Sequence, residues 1–327
     1  MGPRRITIID IARELGISKS TVANVLNGTG RFSEDTSSTV REAAERLGYV
    51  SNRAARSLRA SRTGAIGLYV PRSVRNLSFY MEFAFGAATG AELHEADLTL
   101  FSPEHRSSRG FQVDGALVID PEPDDRMVEA LIAANVTVVS VGSYQGRHEA
   151  DIAGVLEARH RELQRAVFQD LLNRGRRKPV FLGIGRHYTS SWVLDTAANY
   201  RQWCQEQGVE LIMHELPLDL ESRESAGLLD AALATPGADA FICAGQGYTN
   251  LVRTRLQQHG KAPGPGLDLA VLAASHEEAR SPGLAAIDLQ PHSYGLAAVE
   301  FLNDILDGRQ TPAHRWFEGA RYCSPAS

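Results

Sequence analysis

Residues 52–62, NRAARSLRASR, place arginines at 53, 56, 59 and 62, every third position, around a single leucine, Leu58. Guanidinium groups at that density are chemistry for a polyanion, because each is permanently charged and presents a fork of donors that fits phosphate oxygens. The distribution of charge sharpens the point. Residues 1–63 carry eleven Lys/Arg against six Asp/Glu, while the rest of the chain carries 23 against 33, within a formal net charge of −5. A basic module joined to a larger acidic body with another task accounts for this asymmetry; a solvated charged face is the plainer alternative. Eleven residues are too few for a stable isolated helix, so this stretch is expected to order only where phosphates neutralise its arginines and a symmetry mate covers its apolar side.

Other chemistry finds little support. The ten histidines are scattered, and HExxH, GxSxG, a P-loop and GxGxxG are all missing, which leaves metal, hydrolase and nucleotide readings without a constellation and predicts no cofactor and no metal. GIG at 183–185 and AGQG at 244–247 read as small residues where strands enter a crevice rather than as phosphate loops. Cys204, Cys243 and Cys323 are far apart and odd in number, as expected of reduced thiols. The N-terminus MGPRRITIID has no apolar core before a cleavage site, and no stretch reaches the length of a membrane span. The expected setting is therefore cytoplasmic and nucleoid-associated, with no membrane partner.

The elements that would position the basic residues can be read from caps and stripes. Thr7 caps a helix with Asp10 three residues on; Ile8, Ile11, Ala12 and Leu15 share its inner face, and Gly16 stops it. Ser18 opens a second helix with Val22, Val25 and Leu26 inward and Gly28 at its end. A third runs from about Ser33 or Asp35 to Leu47, with Val40, Ala43, Ala44 and Leu47 inward and Gly48 after it. Two short helices across a tight glycine-containing turn form a helix-turn-helix; a plain three-helix bundle is the other reading.

ITIIDIARELGISKSTVANVLNG followed by REAAERLGYVSNRAARSLRASRTGAIGLYVP resembles the N-terminus of a LacI-type (LacI/GalR family) bacterial transcription regulator. The likeness is dense through residues 6–71 and architectural beyond Pro71. It implies a DNA-binding domain over 1–50 and a hinge helix or linker over 51–63. A two-lobed effector-binding and dimerisation body would span 64–327. It also implies that Leu58 wedges into the minor groove, that Lys19, Ser20 and Asn24 read bases, and that Thr21 touches phosphate. Thr7, Ser18, Asn27, Tyr49, Asn52, Arg53, Ala55, Arg56 and Arg59 complete the expected DNA surface. The family commonly has Ser-Arg where this chain has Ala23-Asn24, and Ser51 replaces a common proline. The implied partners are operator DNA and a second copy of the chain, in a regulator that is not an enzyme. The expected role is that of a repressor on a pseudo-palindromic site. A solute-binding receptor, or a body serving only as a dimerisation or partner surface, is the alternative.

In the body, AIGLYV, LTLF, GALVI, VTVVSV, PVFLGI, AFICA and LAVLAA are continuous apolar runs, as in strands buried on both faces of parallel sheets. Two doubly wound α/β lobes with a crevice at the carboxyl ends of their strands follow. The resemblance implies a periplasmic-binding-protein-like fold with crossings near residues 150, 290 and 312, giving a first lobe of about 64–151 and 290–311 and a second of about 152–289 and 312–327. Only eleven residues separate LTLF from VDGALVI, too few for the usual loop-helix-loop crossover.

Where sugar-responsive members of the family carry polar residues, this chain aligns Gly142, Thr196 with Asn199, Gly245-Gln246 and Ser275. Phe79, Tyr80, Trp192 and Tyr248, with Arg186, His187 and Gln246, are the remaining candidates for a pocket lining. They point away from a simple sugar held in the family manner and toward a flatter or anionic effector.

Overall fold

The computed structural model describes residues 6–26, 30–49, 62–71, 77–102, 110–185, 188–217 and 223–325. The chain divides into two compact units, Met1–Ser61 and Arg62–Ser327.

In the first unit, helix α1 spans Ile8–Leu15, α2 spans Lys19–Leu26 and α3 spans Glu34–Arg46. Local chemistry sets each boundary. The Thr7 amide and hydroxyl both donate to Asp10 Oδ2, at 2.9 and 2.6 Å, and Gly16, in the left-handed region at φ +65°, ends α1. Ser18 Oγ accepts the Thr21 amide at 3.0 Å, and Ser33 Oγ accepts that of Thr36 at 3.2 Å, so both later helices start on serine caps. Ile11, Val22 and Val40, fully buried, meet at the centre.

The second unit starts at Arg62 rather than at 64. Arg62 donates to Asp307 Oδ1 at 2.9 Å and to the Leu306 carbonyl at 2.5 Å. The Thr63 hydroxyl donates to Asp114 at 3.0 Å. The fourth arginine of the stripe is thus bound to the body. The expected hinge, with Asn52, Arg53, Ala55, Arg56, Leu58 and Arg59, lies outside the described residues, as does Asn27.

The body contains two six-stranded sheets. The first holds β1 (Ala65–Tyr69), β2 (Asp97–Phe101), β3 (Gly115–Ile119), β4 (Thr137–Val141), β5 (Gly154–Ala158) and β11 (His314–Phe317), in the order β11-β5-β4-β3-β1-β2 and parallel throughout. The second holds β6 (Pro179–Ile184), β7 (Met213–Leu216), β8 (Ala240–Cys243), β9 (Asp268–Ala274), β10 (Leu284–Asp288) and β12 (Arg321–Cys323), ordered β12-β10-β9-β8-β6-β7, with only β12 antiparallel.

Helices cover both faces of each sheet. On the first, α4 (Ser78–Leu93) and α10 (Pro291–Leu306) lie on one side and α5 (Arg126–Ala133) on the other. On the second, α6 (His160–Asn173) and α7 (Ser191–Gln207) face α8 (Arg223–Leu233) and α9 (Tyr248–Gln258) across the sheet. Helices α4 and α10 approach so closely that a Cβ at Gly295 would stand 2.1 Å from the Phe83 carbonyl oxygen.

One expectation is corrected. Strands β5 and β11 belong to the first sheet, so the crossings between lobes fall at about 159, 289 and 318 rather than 150, 290 and 312. The reason is compositional: GVLEA alternates and HRWF is an exposed edge, so neither reads as a continuous apolar run. Between β2 and β3, residues 103–109, where the shortened crossover was expected, lie outside the described residues. In the described part, the Phe101 and Phe111 rings pack edge to face at 5.2 Å. Phe101 folds over β1 so tightly that a Cβ at Gly67 would meet its ring at 2.4 Å.

Candidate DNA-reading helix and ligand cleft

Helix α2 has two distinct sides. Val22, Ala23 and Val25 are buried in the three-helix core, while Lys19, Ser20 and Asn24 are exposed and Thr21 is half-buried. The hydroxyls of Ser18, Ser20 and Thr21 lie 2.8 Å from one another in two pairs centred on Ser18, so the start of the helix presents a cluster of donors and acceptors. A helix N-terminus of this kind favours phosphate oxygens through its free amides and dipole, while Lys19 and Asn24 extend further along the exposed side. Thr7 is exposed but committed to Asp10, and Tyr49 is half-buried against the core, with its amide donating to Ala44 at 2.8 Å.

In the body, the strand register assembles a second site. Ile119 pairs with Val141 and Val141 with Leu156, so the next residues, Asp120, Gly142 and Glu157, stand side by side across the carboxyl ends of β3, β4 and β5. Parallel α/β sheets bind ligands at this edge. The central glycine leaves room for its neighbour: a Cβ at Gly142, whose φ is +89°, would come within 2.9 Å of Asp120 Oδ1. Asp120 itself holds φ +44°, an uncommon value for a residue with a side chain. Its Oδ2 accepts the Tyr80 hydroxyl at 2.8 Å. Burial raises the Asp120 carboxyl to about 6, against the lowering effect of the Tyr80 hydrogen bond and with a further push from Glu157.

The opposite wall comes from the second lobe. The Phe79 amide donates to Gln246 Oε1 at 2.9 Å and the Ser191 hydroxyl to the Ser143 carbonyl at 2.6 Å, and both bonds join one lobe to the other beside the cleft. Trp192 and His160 pack edge to face at 6.4 Å, and burial lowers the His160 imidazole to about 4, which keeps it neutral at pH 7. The space between the walls amounts to about 910 Å³ including its open mouth.

Of the expected pocket residues, Phe79, Tyr80, Gly142, Trp192 and Gln246 line this cleft. Three others lie elsewhere. Thr196 is buried and accepts Gln164 Nε2 at 2.8 Å between α6 and α7. Tyr248 is a core residue whose hydroxyl donates to the Leu216 carbonyl at 3.2 Å. Ser275 Oγ accepts the Glu278 amide at 3.0 Å, capping a short turn. Arg186 and His187 lie outside the described residues.

Sequence reasoning missed Asp120, Glu122, Glu157, His160 and Tyr188, all of which line the cleft. The signal for the first was available, since Asp120 directly follows the apolar run GALVI, where an α/β strand delivers its site residues. The expectation that the polar lining had thinned to small groups is therefore corrected: a carboxylate from β3 occupies the space beside Gly142. The described lining holds three carboxylates and no lysine or arginine, and Arg186, on which the anionic effector rests, lies outside the described residues.

Comparison with known proteins agrees with both halves. Residues 7–52 match the family described as bacterial regulatory proteins, lacI family, and residues 168–323 match the periplasmic binding protein-like domain. Catabolite control protein A of Priestia megaterium is 31% identical over 153 residues, which span 44% of this chain and 46% of that protein. The HTH-type transcriptional regulator pepR1 of Lactobacillus delbrueckii subsp. lactis is 25% identical over 323 residues, 94% of this chain and 93% of the relative. In fold, the chain is similar to the Lac repressor dimer bound to operator and the anti-inducer ONPF, with a TM-score of 0.77 and 16% identity over 98% of each chain. The helix-turn-helix at the start of the chain is thus that of the lacI family of bacterial regulatory proteins, and the two-sheet body that follows carries a periplasmic binding protein-like domain.

Proposed function

We infer that the protein is a repressor that binds a pseudo-palindromic operator as a homodimer and is controlled by a small molecule held between the lobes of its body. The observation that carries this reading is the two-sided character of α2, which buries Val22 and Val25 and leaves Lys19, Ser20 and Asn24 exposed. One such helix contacts too few bases for useful specificity, so two copies are required. Exposed apolar residues on the first lobe, Met81 and Phe85 one turn apart on α4 and Leu100 on the edge strand β2, support a second copy as the partner. The repressor found similar in fold is itself a dimer on operator with a small molecule bound. In this reading Leu58 is the minor-groove wedge, and the hinge arginines neutralise phosphate.

Two measurements test it. Selection from randomised duplexes by gel shift should return a two-fold symmetric site, and sedimentation should give a dimer whose affinity falls steeply with salt. A monomer binding asymmetric sites with a flat salt dependence would refute the assignment.

A further inference from the structure

The chemistry of the cleft is divided between its walls. The first lobe supplies acceptors carrying negative charge, Asp120, Glu122 and Glu157. The second lobe supplies donors: Gln246 Nε2 and Trp192 Nε1 are buried without a hydrogen-bond partner among the described residues, as is His160 Nδ1. Gln246 is only 8% exposed, and its other amide atom is held by Phe79, so Nε2 is fixed at the cleft wall. A buried donor left unpaired is costly, and carboxylates shut away from water are costlier still. Phe79, Tyr80, Tyr188 and Trp192 add flat apolar surface between these groups.

We propose that the effector is a small organic cation, with a protonated amine or amidine seated between Asp120 and Glu157 and an acceptor oxygen directed at Gln246 and Trp192. This rests on the cleft being the effector site. A neutral polyol would answer the donors without bringing positive charge beside Asp120 and Glu157, the latter already 3.1 Å from His314 Nε2, and an anion would add to the repulsion. Gly142 suits the proposal because its missing side chain lets Asp120 Oδ1 lie over the middle of the row, 2.9 Å from where a Cβ would stand, on the side toward Glu157. A compact amine with several N–H donors can satisfy both at once.

The test is a thermal-shift screen of the full chain followed by calorimetry on every hit. The probes are matched triads: glucosamine, N-acetylglucosamine and glucuronate; tyramine, 4-ethylphenol and 4-hydroxyphenylacetate; and a metabolite set balanced among cations, neutral molecules and anions. The expected result is that saturable binding is confined to cations and is weakened on the order of 10- to 100-fold by Asp120→Asn. Asparagine tolerates the positive φ at 120, so this variant is expected to fold, which its melting curve will show.

Neutral or anionic hits that lose affinity with Gln246→Ala would overturn the cation while leaving the cleft as the effector site. Cationic hits indifferent to both substitutions would overturn the seat at Asp120. If no probe binds, or no hit of any charge senses either Asp120→Asn or Gln246→Ala, the effector reading of the cleft falls as well.

Discussion

Replacing Gly142 tests whether Asp120 has taken over the space at the end of β4. An alanine there must adopt φ near +89°, which costs about 1–2 kcal/mol for a residue with a Cβ. Its methyl carbon would also stand 2.9 Å from Asp120 Oδ1, inside normal contact. That carboxylate cannot swing away freely while Tyr80 holds its other oxygen at 2.8 Å. Adding roughly 1 kcal/mol for overpacking gives a total loss of about 2–3 kcal/mol. For a body of this size, that is a fall of roughly 4–10 °C in melting temperature. Gly142→Asp should cost more at pH 8 than Gly142→Ala, because a second carboxylate would face the first, and the two variants should converge near pH 5 as Asp120 takes up a proton. Calorimetric melting of both variants at the two pH values is the assay. An unchanged melting temperature for Gly142→Ala, or a cost of Gly142→Asp indifferent to pH, would refute the placement of Asp120.

Asp120→Asn should also remove a pH dependence from the body. Its carboxyl is raised in the folded state, so folding is favoured below about pH 4 and that advantage is lost as pH rises through about 6. His160, lowered to about 4, acts with the opposite sign, and Glu278, raised to about 7, with the same sign. The wild-type minus variant difference in chemical denaturation between pH 4 and 7 therefore isolates Asp120 with its neighbours Tyr80 and Glu157, and a flat difference would exclude it. Gly295→Ala should destabilise the α4–α10 pair by about 2 kcal/mol net of alanine's helical preference, measured by urea denaturation. Asn24→Arg should shift one symmetric half-site position toward guanine in an operator selection, with a discrimination of about 1–3 kcal/mol. Leu58→Ala should weaken specific binding by about a few kcal/mol and leave binding to random DNA nearly intact, as read by titration against both.

The helix-turn-helix is legible because its punctuation is local. Thr7 with Asp10, Gly16, Ser18 and Ser33 each set an element boundary through a bond or a backbone angle within a few residues. The buried strands β1, β3, β4 and β9 are legible for a different reason, since burial on both faces leaves a continuous apolar run. Strands β5, β7 and β11 evade that rule: GVLEA, MHEL and HRWF carry polar residues that face the cleft or solvent. The cleft was half legible. Its aromatic residues stand out by type, but Asp120 does not, because which carboxylate neighbours Gly142 is fixed by the pairing of Ile119 with Val141, a property of tertiary register. Alignment to the family asks what occupies position 142, whereas the sheet answers from the adjacent strand.

The interleaving of the chain between the two sheets sets an order on events during synthesis. Helix α4 ends at Leu93, but α10, the partner that packs against its glycines, does not begin until Pro291, and the edge strand β11 follows only at 314. The first lobe must therefore wait for about two hundred further residues, roughly 10–40 s at usual rates of translation, before its core can close. During that interval, the second lobe emerges with nearly all its strands in hand and is able to collapse first. The lobe that begins the body is completed last, and until then the face of α4 around Gly86 and Gly90 is bare to chaperones and to other nascent chains.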